Sequence, residues 1–400
     1  MSALRALVAG ALSLLVPASL LLVTATGSAN EASGEPAASQ SARRNAEQTV
    51  HLVALPQIVQ PGGRVASPDD AKAAFTATIE PIAAGRKVRL QVRRASSWQT
   101  VAEVSQGKNG RAEFAAAASR DGRALTYRVR AVAFRGLPAV TSNKASTERW
   151  LTPTWTDEFS GSSLSKVWQN RGRTYEPQSL RRCSRGSAQA VRVGGGALRL
   201  SVMKDPSRDT LCPALKDGQI AGRYAYRLNG HVGTDDGFSF RYGVAAARIK
   251  FPRLRGQHGS FWMQPVGGMY PGGTGHEIDV TEFFGAKAKR SGLFSYIHRY
   301  EGGRVVKTGS TIPDTFLHAP RDGWGKNFHV FSVQWTPRSL IFRIDGKETW
   351  RIGGRISQVP QYLILSLLSS DYELPQIQDR QLPQHMYVDW VRVWETSGGP

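Results

Sequence analysis

The sequence has 400 residues, 41 of them glycine and 21 proline, and is long enough for two domains with a substantial core. Its formal net charge is +21, with 15 basic and 6 acidic residues in 48–147, and 34 and 22 in 148–400. Because the excess is spread over the chain, it excludes a concentrated basic arm of the kind that binds nucleic acid. Two interpretations stay open, a soluble basic surface and attraction to anionic polymers of a cell wall or matrix.

The N-terminus predicts a targeting segment. Arg5 precedes an apolar run over 6–23, and the small residues "ATGSAN" follow. This order is typical of a secretory signal peptide, which we place at residues 1–29. An uncleaved membrane anchor is the alternative, but Pro17 and the small-residue exit favour cleavage. We therefore expect a secreted, extracellular protein, and no later stretch approaches the roughly 18 apolar residues of a membrane helix.

Residues 30–47 are small, polar and patternless, which predicts a flexible leader. Residues 48–147 predict a small β-sandwich, because runs such as "KVRLQVRR" and "LTYRVRAVAF" alternate in polarity between turn signals such as "GKNG" and "RDG". The pattern resembles the immunoglobulin-like or fibronectin-like accessory domains of secreted bacterial enzymes. Such a domain either binds polysaccharide or spaces the rest of the chain, and both roles stay open.

Residues 153–396 predict a second, larger all-β domain. It contains about ten strand-like runs, among them "GFSFRYGVAAARIKFP", "FHVFSVQWTP" and "MYVDWVRVWE", and the Asp345-Gly346 pair is a strong hairpin signal. So many strands without crossover helices require two antiparallel sheets packed face to face. Cys183 and Cys212 are the two cysteines, and an even number in an exported protein predicts a disulfide bond between them.

The stretch "GHEIDVTEFFG", residues 275–285, places three carboxylates inside an apolar run. Side chains alternate along a strand, so Glu277 and Asp279 share one face and Ile278 lies on the other. Glu282 would fall on the apolar face unless one extra residue is inserted. A β-bulge around Val280–Thr281 returns Glu282 to the face of Glu277.

Carboxylates on one face suit the hydrolysis of a glycosidic bond. A retaining mechanism needs two carboxyl groups about 5–5.5 Å apart, one as the nucleophile and one as the acid and then the base. A Ca²⁺ or Mg²⁺ site is one alternative, and a solvated strand face is another. A zinc protease is excluded, because H-E-x-x-H would need a second histidine where Val280 stands.

The motif "EIDVTE" resembles the E-I-D-x-x-E signature of glycoside hydrolase family 16, in the laminarinase-like branch that has the bulge. The resemblance extends over roughly 153–395 and includes "DEFSG", "GSFWMQP" and "FRIDG". It implies a concanavalin-like β-jelly-roll and an endo-acting, retaining enzyme on β-linked glucans or galactans. It makes Glu277 the nucleophile, Asp279 the assisting acid and Glu282 the acid/base. The chain differs from the family pattern at positions such as His276, Ala246 and Ser366. These differences do not affect the three carboxylates, but they prevent an assignment of the substrate from the resemblance.

Aromatic rings stack on the apolar faces of sugars, so we expect Trp262, Tyr270 and Trp324 to bind substrate, although core packing is the ordinary role of each. The resemblance adds His298, which would orient the site or contact substrate. It also implies a structural calcium ion at Asp389, while no cofactor is required for the reaction itself.

We therefore predict an all-β protein with a small N-terminal sandwich and a larger β-jelly-roll. We expect it to cleave a β-linked polysaccharide, a β-glucan first and a galactan second, as a monomer without nucleic-acid partners. The alternatives are a transglycosylase that uses the same residues and a carbohydrate-binding sandwich without catalysis.

Overall fold

The computed structural model describes residues 47–285, 292–317 and 322–397. The predicted signal peptide and all but the last residue of the predicted leader lie outside the described residues. Within them, no helix is long and apolar enough to span a bilayer. The first ten strands are β1 Thr49–Ala54, β2 Ala73–Glu80, β3 Lys87–Arg94, β4 Ser97–Ser105, β5 Arg111–Ala116, β6 Ser119–Arg120, β7 Arg123–Ala124, β8 Thr126–Ala131, β9 Val140–Thr141 and β10 Ala145–Ser146.

The later strands are β11 Trp155–Asp157, β12 Gln169–Asn170, β13 Ser184–Gly186, β14 Val191–Gly194, β15 Ala197–Lys204, β16 Leu211–Lys216, β17 Gln219–Ala225, β18 Arg227–Gly233, β19 Ser239–Phe240, β20 Gly243–Lys250, β21 His258–Pro265, β22 Glu277–Phe283, β23 Leu293–Glu301, β24 Arg304–Thr311, β25 His329–Trp335, β26 Ser339–Ile344, β27 Lys347–Gly353, β28 Gln361–Leu368 and β29 Gln384–Glu395. The helices described are short 3₁₀ turns at Pro68–Asp70, Glu148–Trp150, Ala188–Ala190, Asp314–Phe316, Asp371–Gln376 and Asp379–Gln381.

The larger unit is the predicted all-β jelly roll, built from two packed sheets. The front sheet has the order β12-β18-β28-β21-β22-β23-β24, and the back sheet has the order β14-β15-β29-β20-β25-β26-β27. Alternation along each strand sends one set of side chains between the sheets, where Leu365, Ile278, Ile297, Phe331 and Val391 are buried in one core. The other face of the front sheet is therefore left for function.

The N-terminal strands form a separate pair of sheets, β1-β2-β5 and β10-β8-β3-β4, with β9 beside β8. This small sandwich packs against the outer face of the back sheet. Alternate residues of β20, β25 and β29 leave the jelly-roll core and join the core of the sandwich; they are Val244, Ala246, Val330, Trp390 and Trp394. The two units thus share one continuous apolar cluster.

Buried polar groups at this junction are paired across it. The indole of Trp390 donates to Gln60 Oε1 at 2.8 Å, and that of Trp394 donates to the Trp150 carbonyl at 3.0 Å. Such pairing offsets the cost of removing each group from water. Ala246, where the family pattern has Glu, is fully buried in the apolar cluster that the two units share.

The predicted disulfide joins Cys183 to Cys212, with 5.6 Å between the Cα atoms. It attaches the β16–β17 hairpin to the main body. The buried carboxylate of Asp371 accepts hydrogen bonds from the backbone N–H groups of Cys183 and Leu215, at 3.2 and 3.1 Å. The hairpin, the disulfide and the 3₁₀ turn at Asp371–Gln376 therefore form one unit beside the front sheet.

Candidate active site

The β-bulge lies in β22, where strand parity predicts it. On β23, Asp279 lies opposite Tyr296 and Glu282 lies opposite Phe294, so Val280 and Thr281 together face the single residue between. The register with β21 shifts at the same place. That middle residue, Ser295, donates its hydroxyl to the Val280 carbonyl at 2.8 Å and so stabilises the bulge.

Because of the bulge, the three carboxylates share the outer face of the front sheet, while Ile278 and Phe283 lie in the core. Segments on either side flank this face. The Met269 sulfur lies 3.2 Å from the Glu277 backbone nitrogen, and the Arg171 guanidinium lies 3.3 Å from the Tyr362 hydroxyl. We call this flanked outer face the cleft.

Each carboxylate has its own neighbours in the cleft. Gln264, on β21, donates a hydrogen bond from its Nε2 to Glu277 Oε2 at 3.0 Å. His298 lies on β23, opposite Glu277 in the register. Its Nε2 is 3.2 Å from Asp279 Oδ2 and 3.8 Å from Glu277 Oε1. Glu282 Oε1 lies 3.1 Å from His258 Nε2. His298 thus lies beside Asp279 and Glu277, and its predicted role in orienting the site or contacting substrate stays a prediction.

The surroundings separate the proton affinities of the carboxyl groups. Burial, and then the charge of Glu282, raises the pKa of Asp279 well above its usual range. Burial also acts to raise the pKa of Glu282, but the hydrogen bond with His258 and the charges of Lys307 and His298 outweigh it and leave that pKa lowered. The pair therefore holds its proton on Asp279, beside an ionised Glu282.

The three aromatic side chains expected in the cleft do not all reach it. Trp262 lies opposite Asp279 in the sheet register, and its indole donates to Ser366 Oγ at 3.2 Å. Tyr270 is 59% exposed in the segment before β22. Trp324 is only 3% exposed and packs against the core residues around His329, so its prediction as a substrate platform is wrong.

The family model described as Glycosyl hydrolases family 16 matches residues 187–392, just over half of the chain. This chain belongs to glycosyl hydrolases family 16. It is 27% identical to glucan endo-1,3-beta-glucosidase A1 of Niallia circulans in an alignment of 272 residues that covers 60% of this chain and 37% of that protein. It is 28% identical to keratan-sulfate endo-1,4-beta-galactosidase of Sphingobacterium multivorum over 170 residues, 40% of this chain and 38% of that one.

A third relative of this family 16 chain is Gram-negative bacteria-binding protein 3 of Drosophila melanogaster, 28% identical over 131 residues, 29% of this chain and 24% of that protein. The chain therefore spans less than two fifths of the length of these three relatives. Among solved structures, the laminarinase catalytic domain from Thermotoga maritima covers 61% of this chain and 98% of its own, with a TM-score of 0.48 and 21% identity.

Sequence reasoning missed three residues of the cleft. His231, on β18, stacks beside Trp262 with 6.2 Å between ring centroids, and its Nε2 is shielded from solvent and has no hydrogen-bond partner among the residues that the structure describes. Burial, with the charges of Arg171 and Arg181, lowers the pKa of His231 to about 3, so the ring is neutral. His231 therefore lies beneath the cleft as a neutral ring that supports Trp262.

The other two missed residues are Tyr296 and Lys307, from the β23–β24 hairpin. Tyr296 lies opposite Asp279, and Lys307 lies opposite His298. The alternation in "LFSYIHRYE" could have indicated Tyr296, since it shares a face with His298. Lys307 could be placed in the cleft only with the register of the β23–β24 hairpin, which the sequence does not show.

The residues around Asp389 do not fit the calcium ion that the resemblance implies. The guanidinium of Arg248 binds the Asp389 carboxylate, and it donates to the Gln60 and Arg64 carbonyls at 2.6 and 3.0 Å. Calcium takes about six to eight oxygen ligands, whereas these oxygens already surround a guanidinium. In the cleft, ligand atoms of Glu277, Asp279 and His298 lie within 4.8 Å of one another, but an imidazole nitrogen is not a ligand that Ca²⁺ or Mg²⁺ prefers.

Proposed function

We propose that this chain is a secreted, endo-acting, retaining glycosidase that cleaves a β-linked polysaccharide. One observation carries the proposal: the bulge brings Glu277, Asp279 and Glu282 to the same open face of one strand. The family membership and the names of two relatives, an endo-1,3-beta-glucosidase and an endo-1,4-beta-galactosidase, support a glucan or galactan substrate. We place β-glucan first.

In the proposed first step, a Glu277 oxygen attacks the anomeric carbon while the glycosidic C–O bond breaks. Glu282 donates a proton to the leaving oxygen, which gives a free sugar hydroxyl and a glycosyl ester on Glu277. In the second step, Glu282 removes a proton from water, and the water oxygen displaces Glu277. Two inversions retain the configuration of the anomeric carbon.

Asp279 holds the proton that this cycle needs. It lies between the two glutamates on the strand, and its neutral form is favoured by burial and by the charge of Glu282. Sugar binding excludes water and raises the cost of an ionised Glu282, which favours the transfer of the proton from Asp279 to Glu282. His298 beside Asp279 fixes the direction of that carboxyl group.

The second candidate is a sandwich that binds carbohydrate without cleaving it. Relatives named Gram-negative bacteria-binding protein 3 and Beta-1,3-glucan-binding protein favour it. Release of reducing ends from a polysaccharide separates the glycosidase from the binding protein. Product lengths longer than those of the substrate would indicate a transglycosylase, in which a sugar hydroxyl replaces water.

The roles of the two glutamates are tested by alanine variants with azide as an external nucleophile. Glu277→Ala removes the ester-forming group, so azide attacks the opposite face and gives an inverted glycosyl azide. Glu282→Ala still forms the ester, so azide gives a retained product, most readily from substrates with good leaving groups. Product configurations opposite to these would exchange the two roles. Full activity in both variants would show that these carboxylates are not the active site.

A further inference from the structure

One cation in the cleft lies beside Glu282, the proposed acid/base. The ammonium of Lys307 is 3.7 Å from the ring centroid of Tyr296 and 3.6 Å from Glu282 Oε2. The Lys307 side chain is 45% exposed, so it also faces the open cleft. Gly309, opposite Tyr296, makes this arrangement fit, because a Cβ at that position would overlap the ring.

For a neutral sugar, this cation opposes the chemistry. The first step needs a proton on Glu282, and a neighbouring ammonium favours the ionised carboxylate. The other groups that face Glu282 are His258 from β21, His298 from β23, Asp279 from its own strand and Tyr372 from the turn after β28. Among these groups, Lys307 is the exposed cation on a long flexible stem, so it is the one that a ligand can draw away.

The opposite wall of the cleft carries a second available cation. Arg171 is paired with Asp235 at 2.6 Å. Arg181 forms no ion pair with any residue that the structure describes, and its Nε has no hydrogen-bond partner there. The charge of Arg181 lowers the pKa of His231 on β18. It also acts on Tyr372, where burial is the largest influence and leaves that pKa raised overall. Arg181 precedes β13, which pairs with β18, and the carbonyl of the adjacent Leu180 accepts from the Asp371 N–H at 2.8 Å; this places its segment on the side of the front sheet away from β24.

We propose that the cleft takes a β-glycan bearing negatively charged groups, sulfate esters or carboxylates, and that Lys307 binds such a group beside the scissile bond while Arg181 binds one further along the chain. The proposal rests on the glycosidase function proposed above. A sulfate or carboxylate that binds the ammonium withdraws it from Glu282, which can then take up the proton. The net charge of +21 also favours the approach of a polyanionic substrate to the protein.

The test compares laminarin with partially sulfated laminarin and with laminarin oxidised to carboxylates at C6, which share one backbone. We expect the wild-type chain to cleave the anionic forms with the higher kcat/KM. Lys307→Met should lower the anionic-to-neutral ratio about tenfold, since it removes one charge-assisted hydrogen bond. Lys307→Arg should largely keep the ratio, and added salt should reduce it in the wild type.

The matched control is Arg192→Met, which removes one exposed positive charge from β14 of the back sheet and should leave the ratio unchanged. Arg181→Met should lower the ratio as well, because the anionic forms lose the cation that binds them further along the chain. A gain with the sulfated form alone identifies a sulfate ester as the ligand, and a gain with both forms identifies charge itself. If Lys307→Met reduces the cleavage of all three polymers equally, Lys307 only tunes Glu282 and the proposal is wrong.

The proposed function and this inference fail differently. If neither the neutral nor the anionic polymers release reducing ends, the glycosidase function is wrong. If laminarin is cleaved as well as its anionic forms at low salt, the glycosidase function stands and the anionic substrate is wrong. The salt series on the wild-type chain needs no variant, so a variant that fails to fold does not remove the test.

Discussion

Replacing Trp394 by alanine should destabilise both units of the chain together. Trp394 is fully buried in the cluster that the small sandwich and the back sheet share, and its indole donates to the Trp150 carbonyl. The loss of a buried tryptophan costs about 3–5 kcal/mol. The Trp150 carbonyl, left without its donor, adds about 1–3 kcal/mol. The expected loss is therefore about 4 kcal/mol or more, because contributions at one site overlap.

Scanning calorimetry measures this loss. For a chain of this size, about 4 kcal/mol lowers Tm by roughly 5 °C. We expect one unfolding transition in the wild type, which separates into two in Trp394→Ala, because the shared cluster couples the units. The matched control is Trp98→Ala on the outer sandwich, where Arg128 lies 4.3 Å over the ring and the loss should be about 1 kcal/mol. Equal losses in the two variants would show that the units do not share a core.

Two further predictions concern the cleft and its flank. Asp279→Asn should be destabilised least, relative to wild type, at high pH. Because the pKa of Asp279 is raised in the folded protein, protonation of Asp279 stabilises the wild-type fold. This stabilisation is complete below the ordinary carboxyl pKa of about 4 and is lost as the pH rises through the raised pKa. A difference in Tm between wild type and Asp279→Asn that stays constant across pH would contradict this. Replacing both Cys183 and Cys212 by serine should cost about 3–4 kcal/mol, from the entropy of a closed loop with a sequence separation of 29. Urea unfolding checks the value, and an unchanged midpoint would refute it.

The bulged strand that carries the three carboxylates was predictable because its rule is local. A strand alternates with period two, so the spacing of Glu277, Asp279 and Glu282 requires one extra residue between the last two. The disulfide was predictable for an equally simple reason, since the sequence contains only Cys183 and Cys212. Such inferences need no knowledge of which strands are neighbours.

The rest depends on distant parts of the chain. Trp324 is an aromatic residue of the same domain as the motif, but only the packing of the two sheets shows that its ring lies in the core. Lys307 approaches Glu282 because β24 pairs with β23 in one particular register. Arg248 meets Asp389 within an environment that includes carbonyl groups of the small sandwich. No short pattern in a single sequence predicts these long-range contacts.

The glycine at position 309 gives the cleft an adjustment that involves no charged residue. Tyr296 lies flat only because nothing projects from the neighbouring strand beneath it. A methyl group at that position would overlap both the Tyr296 ring and the Ser295 carbonyl oxygen, so Gly309→Ala would displace the ring and the β23 backbone together. The absence of a side chain at one position of β24 thus sets where the cation above the ring lies in the cleft.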